Sequence, residues 1–215
     1  MKTRFFLLIL IINLIFSCEK KYLVDENNST QKDNNRQIIE DTSDYKIDSS
    51  NIINLHINDS LLSSLQLNGI IINENKIFIT KSGTYSLNGE ITNGQLIINS
   101  DDDDPIKIIL NGVKIYCKDN SPIYIKKAKK TIIFVVNGTE NILKDSSSYI
   151  FENYNNEEPN AVIFSKADLI IYGGGYLKIE GNYKDGINSK DGLLIKNAKI
   201  DIKAKDDGIR GKDYL

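Results

Sequence analysis

Four aspartates near the end of the chain stand where they can do chemistry together. They lie in two segments that are close copies, Lys184-Asp-Gly-Ile-Asn-Ser-Lys-Asp-Gly-Leu-Leu-Ile195 and Asp206-Asp-Gly-Ile-Arg-Gly-Lys-Asp-Tyr-Leu215. Asp185 and Asp207 hold the same place in each copy, 22 residues apart (185 to 207), which is the size of one coil in a stacked repeat. Stacked coils put equivalent residues on adjacent strands, about 4.8 Å apart. Two carboxylates that close repel unless a cation sits between them. Calcium suits such a place, because it takes several hard oxygen ligands in flexible geometry. Asp185, Asp191, Asp206 and Asp207 are the candidate ligands, with Asn188 and turn carbonyls available to complete the shell. The same residues also fit an Asx turn, in which the carboxylate caps its own backbone and glycine supplies a positive φ. Both readings stay open on the residues alone.

The elements that position these aspartates are short and β-branched. A weaker third copy, Asn160-Ala-Val-Ile-Phe-Ser-Lys-Ala-Asp-Leu-Ile-Ile171, precedes the other two. Runs such as Gln95 to Ile98, Ile106 to Leu110 and Thr131 to Val136 read as strands. Equivalent strand starts fall at Ile106, Thr131, Leu169 and Leu193, about 24 residues apart with one excess. The excess coincides with polar Lys144 to Pro159, which reads as a loop inserted into one coil. Three short strands per coil describe an all-β, right-handed parallel β-helix. Asn-Gly pairs at Asn68-Gly69, Asn93-Gly94, Asn111-Gly112 and Asn137-Gly138 are hairpin signals and favour a sandwich instead; the repeat favours the helix. Asp59 to Leu67 reads as a short α-helix. The run Asp101 to Asp104 reads as a solvated loop, since contiguous charges point in different directions.

Residues 1–17 carry a positive start and an apolar run from Phe5 to Phe16, the form of a secretory leader. The run is short for a membrane span, which needs about 20 residues. Ile15-Phe-Ser-Cys18 resembles a bacterial lipobox, which implies acylation of Cys18 and attachment to the membrane through lipid alone. Residues 18–52 are polar and read as a flexible tether, leaving 53–215 as the folded domain. The expected location is the cell envelope of a bacterium, with the domain facing outward. A net charge of −2 with mixed signs gives no basic face for nucleic acid. The single histidine, His56, excludes a histidine-based metal or catalytic cluster. Cys117 sits in an alternating strand and reads as a buried small hydrophobe.

Ser82-Gly-Thr-Tyr-Ser-Leu-Asn-Gly89, Ile108-Ile-Leu-Asn-Gly-Val113, Asn137-Gly-Thr-Glu-Asn-Ile-Leu143, Ala161 to Lys166, Gly173 to Leu177 and the two Asp-Gly-Ile turns fall in one order. Together they resemble the bacterial cell-surface carbohydrate-binding β-helix family, once filed as a domain of unknown function. The resemblance implies a parallel β-helix similar to polysaccharide lyases, bound calcium, and binding of cellulose and acidic sugars such as polygalacturonate, without implying lyase activity. Family members continue past the position of Gly211-Lys-Asp213 with further coils, so the resemblance implies a domain incomplete at its C-terminus.

Sugar binding needs flat apolar surface beside polar groups, which tyrosine supplies. Tyr85, Tyr116, Tyr124, Tyr172, Tyr176 and Tyr183 are available, and Lys126, Lys127, Lys129, Lys130 and Lys190 can meet uronate carboxylates or form a solvated face. Two further function classes remain: a pectate-lyase-like eliminase, and a structural adhesin. The eliminase needs calcium on the uronate and a base for the adjacent C–H. Arg210 is the one arginine of the domain, and arginine is a poor base because it is normally protonated.

Overall fold

The computed structural model describes residues 40–61, 65–151, 157–213 and 215. The leader, Cys18 and the tether as far as residue 39 lie outside the described residues. The described chain is all-β apart from three 3₁₀ turns, Thr42–Tyr45, Ser49–Asn51 and Asp59–Leu61. It opens with β1 (Ile52–Ile57), β2 (Leu65–Leu67), β3 (Ile70–Asn73), β4 (Lys76–Ile79), β5 (Gly83–Ile91) and β6 (Gln95–Asn99). The middle holds β7 (Ile106–Tyr116), β8 (Ile123–Lys127), β9 (Lys130–Val135), β10 (Glu140–Lys144), β11 (Ala161–Ser165) and β12 (Asp168–Tyr172). The last strands are β13 (Tyr176–Gly181), β14 (Asp185–Ser189), β15 (Leu193–Lys196), β16 (Lys199–Ala204) and β17 (Ile209–Gly211).

Most strands pair in parallel with strands about one coil away. One sheet runs β17-β14-β11-β8-β6-β4-β3-β2, and only its β2-β3-β4 end is antiparallel. The other sheet has two flanks, β15-β12-β9 and β10-β13-β16, joined through β7. β7 serves both because it bends at Asn111-Gly112, where Gly112 has φ 76°, a left-handed conformation open to glycine. The bend is closed from the next coil. Asn141, fully buried, accepts the N–H groups of Gly112 and Val113 at 2.9 Å each.

Register turns the repeat into a core. Ile77, Leu96, Ile123, Ile163 and Ile187 oppose one another in sequence, and each is nearly or fully buried. Ile106, Thr131, Leu169 and Leu193 form a second column, in the positions the strand spacing assigns. Ile115, Leu143, Ile179 and Ile202 form a third. Each fully buried aliphatic side chain of this kind contributes about 1.5–3 kcal/mol. The inserted segment shows in the same register. Ile123 opposes Ile163, an offset of 40 (123 to 163), whereas Ile163 opposes Ile187, an offset of 24 (163 to 187). Residues 145–151 of the insertion lie against the stack, where the Tyr149 ring lies 4.3 Å from that of Tyr183 and its hydroxyl donates to Asp145.

Three expectations are corrected. Residues 40–51 are not a loose tether. Tyr45 packs against Ile132 and Ile170 on the outer side of β9 and β12, and meets Tyr172 edge-on at 4.9 Å. Asp44 is buried and paired with Lys130 at 3.0 Å, and the Lys107 ammonium donates to the carbonyls of Ser43 and Lys46. A few directional contacts hold a segment whose composition alone is too polar to fold. Asp59 to Leu67 is not an α-helix: a single 3₁₀ turn gives way to β2, which pairs antiparallel with β3. Of the four Asn-Gly pairs only Asn68-Gly69 closes a hairpin. Asn93-Gly94 and Asn137-Gly138 lie between strands that run on into the parallel stack, and Asn111-Gly112 lies at the bend inside β7.

Candidate functional site

Asp185 opens β14, and its side chain is fully buried. Its Oδ1 accepts the N–H of Asp207 at 3.2 Å. Its Oδ2 accepts from Asn188 Nδ2 at 2.9 Å and from Asn160 Nδ2 at 3.4 Å. The carboxylate therefore caps the turn of the next coil rather than its own. The coils hold that alignment through ladder bonds from Gly186 N–H to the Asp207 carbonyl and from Ile187 N–H to the Gly208 carbonyl. Gly186 is required by close approach, not by positive φ. A Cβ there would stand 2.5 Å from Ile202 Cγ2 and 2.6 Å from the Gly208 carbonyl oxygen.

Asp206 and Asp207 are exposed, and with Asp185 they offer carboxylate oxygens within 4.8 Å of one another. Burial pushes the Asp185 carboxyl above its ordinary range, against the opposing pull of the Asp207 N–H, Asn188 and the Arg210 guanidinium. Three carboxylates this close form a donor set suited to a hard cation, and a cation there would offset both the desolvation and the repulsion. Asp191 does not join them. It follows the far end of β14, where its N–H bonds Ser189 Oγ at 3.3 Å. One neighbour has no assignment in the sequence: Asn160 reaches in from the preceding coil. Arg210, weighed above as an eliminase base, lies 3.8 Å from Asp185 and 3.6 Å from Asp207. Asn160 stands just before Ala161, which opposes Asp185, so aligning the weaker third repeat would have found it.

The other candidates scatter. Asp101 to Asp104 form an exposed loop, in which Asp102 accepts the N–H and hydroxyl of Ser82. His56 is exposed on β1, its Nδ1 2.7 Å from Asn88 Oδ1. Cys117 is buried, which raises its thiol to about 11. Tyr85 is a core residue whose hydroxyl donates to the Lys81 carbonyl. Tyr172 stacks on Phe134, and Tyr176 donates to Asp201. Tyr116 is half-buried at the end of β7. Lys127 pairs with Asp101, Lys129 is exposed, and Lys130 meets Asp44. Among the candidate tyrosines and lysines, Tyr124 and Lys126 share a concave surface, on the outer side of β8, with a pocket of about 380 Å³.

The family profile for carbohydrate-binding domain-containing proteins matches residues 73–215. A carbohydrate-binding domain-containing protein of Acetivibrio thermocellus is 34% identical over 138 residues, 64% of this chain and 48% of that protein. A solved structure described as the polysaccharide lyase-like protein from C. thermocellum, gadolinium derivative, superposes with a TM-score of 0.66 at 33% identity, covering 71% of this chain and 61% of that one. The chain thus spans about half the length of the curated relative it matches. With a profile that covers the strands from the end of β3 onward, the chain belongs to the carbohydrate-binding domain-containing protein family.

Proposed function

We propose that this chain is a non-catalytic binding module for acidic or plant-type polysaccharide, folded as a right-handed parallel β-helix and displayed outward from the bacterial envelope by a lipid on Cys18. The family match over residues 73–215 carries the carbohydrate-binding part of this reading. Calcium held by Asp185, Asp206 and Asp207 is the proposed stabiliser of the Asp-Gly turns, supported by the approach of their oxygens within 4.8 Å. A bound cation would lower the repulsion there and stabilise the folded state by mass action.

The rival reading is a polysaccharide eliminase, favoured by the description of the structural neighbour as lyase-like. Against it, Arg210 spans two carboxylates, and a proton-accepting role would give up both ion pairs. The test is electrophoresis in gels containing polygalacturonate, with calcium and with chelator, alongside ultraviolet absorbance of the incubated polymer. Retardation that is stronger with calcium, without an absorbance rise, is expected. A calcium-dependent rise that is lost in Arg210→Lys would replace the binding module with a lyase. Neither retardation nor product would favour a structural adhesin.

A further inference from the structure

The outer side of β4, β6, β8 and β11 segregates its side chains into rows. Phe78 opposes Ile97, Ile97 opposes Tyr124, and Tyr124 opposes Phe164, so an apolar stripe crosses the strands at right angles. The register assigns the next outward row to Lys126, Lys166 and Lys190. Ile125, Ser165 and Ser189 oppose one another, the lysines follow them directly, and the ladder continues through Lys166 N–H to the Ile125 carbonyl and Lys190 N–H to the Ser165 carbonyl. Glu158 is shared by two of these lysines, at 3.0 Å from Lys166 and 2.9 Å from Lys190.

The inserted segment makes the stripe concave. Phe78, Ile97 and Tyr124 line the floor of the pocket, while Ile150, Phe151 and Pro159 form a wall. Ile150 is 67% exposed, unusual for so apolar a side chain. It is held there by its N–H to the Asp119 carbonyl at 2.7 Å and by Asn120 Nδ2 to its own carbonyl at 3.0 Å. The amide of Gln95, which also lines the groove, is fixed by bonds to Asn120 Oδ1 and the Ser121 carbonyl.

We infer that this groove seats a carboxylate-bearing glycan chain laid across the strands, its sugar faces against Phe78, Ile97 and Tyr124 and its carboxylates against Lys126 and Lys166. The inference rests on the acidic-polysaccharide reading above and adds the place where the chain binds and the residues that meet its carboxylates. Strands repeat every 4.8 Å or so, close to the length of one pyranose ring along a chain, so successive rings meet successive strands. Aromatic faces take the apolar C–H side of a sugar while their edges leave its hydroxyls to polar groups. The lining carries Lys76, Lys126 and Lys166 against Asp119 and Glu158, a surplus of one positive charge that favours an anionic polymer over a neutral one and does so most at low salt. The groove shares no residue with the Asp185 cluster.

The test is affinity electrophoresis of the full chain at fixed calcium, in gels with polygalacturonate or with hydroxyethyl cellulose as the neutral polymer. Tyr124→Ala and Lys126→Glu are each expected to weaken polygalacturonate binding by about tenfold or more, and Lys199→Glu, on exposed β16, to leave it unchanged. If Tyr124→Ala disturbs folding, because its ring meets Phe164 at 5.7 Å, Lys126→Glu on an exposed side chain gives the same reading. Wild-type retardation that both groove variants retain would overturn the groove and leave the carbohydrate-binding reading standing. Binding to the neutral polymer as tight as to polygalacturonate would overturn the charge assignment. No retardation of the wild type by either polymer would overturn both the inference and the reading beneath it.

Discussion

Replacing Asp185 by Asn separates the two roles that its geometry allows. At 4.8 Å two carboxylates repel by about 3.5 kcal/mol at an effective dielectric of 20 and by about 0.9 kcal/mol in water. Asp206 and Asp207 are exposed, so the lower figure is the better guide, and the Arg210 guanidinium at 3.8 Å returns one attraction of similar size. Removing the charge should therefore relieve roughly 1 kcal/mol. An asparagine keeps the bond from the Asp207 N–H but sets its amide against that of Asn188, which costs about 1 kcal/mol. In chelator the variant should melt within a few degrees of the wild type. With calcium at 100 times its dissociation constant, the wild type gains about 2.7 kcal/mol. For a domain of this size that is roughly 5–11 °C in Tm, and the variant should gain little of it. Acidity gives an independent sign. Burial raises this carboxyl, so the metal-free wild type should gain stability relative to the variant as pH falls through the raised value toward the ordinary 3.8. An ordinary salt-bridged aspartate does the reverse. Differential scanning fluorimetry across both variables reads the result. Equal calcium shifts in wild type and Asp185→Asn would refute the shared-ion argument and leave a purely structural cap.

Asn141→Ala leaves the buried N–H of Val113 without its acceptor, at about 1–3 kcal/mol, and the part-buried N–H of Gly112 without its own at a smaller cost. Chemical denaturation should show a loss of roughly 2–5 kcal/mol, and a loss under about 1 kcal/mol would mean that the bend of β7 does not depend on it. Glu180 is held near 2 by hydrogen bonds from Lys144 and then Lys178, at 2.8 and 2.7 Å. Its contribution is present above the ordinary carboxylate value of 4.5 and lost as pH falls toward 2, so Glu180→Gln should be destabilised by about 1 kcal/mol at pH 7, discounted for the exposed lysines. That difference from the wild type should vanish by pH 2. Cys18→Ser should abolish acyl labelling and release the protein from the membrane fraction; unchanged fractionation would remove the lipid anchor.

Periodicity is what made the fold readable. The column Ile106, Thr131, Leu169 and Leu193 follows from strand spacing, because residues that stack must recur once per coil. The same rule aligns Asp185 with Asp207. It fails where contacts are not periodic. Asp191 repeats the Asp-Gly motif, yet a five-residue strand carries it to the far end of β14. Residues 40–51 are anchored by Tyr45, Asp44 and the Lys107 contacts, long-range pairings that leave no local pattern. The groove on β8 depends on the inserted segment folding back to supply Ile150 and Phe151. Its floor residues were visible as strand positions, but the wall opposite them was not.

The central claim, that a stacked β-domain binds acidic glycan without cleaving it, is tested most directly by calorimetric titration of a defined oligogalacturonide into the full chain in calcium. The account predicts saturable heat at one site per chain, weakened by salt, with the oligosaccharide recovered intact afterwards. No saturable heat, or steady heat with an unsaturated uronide among the products, would contradict it.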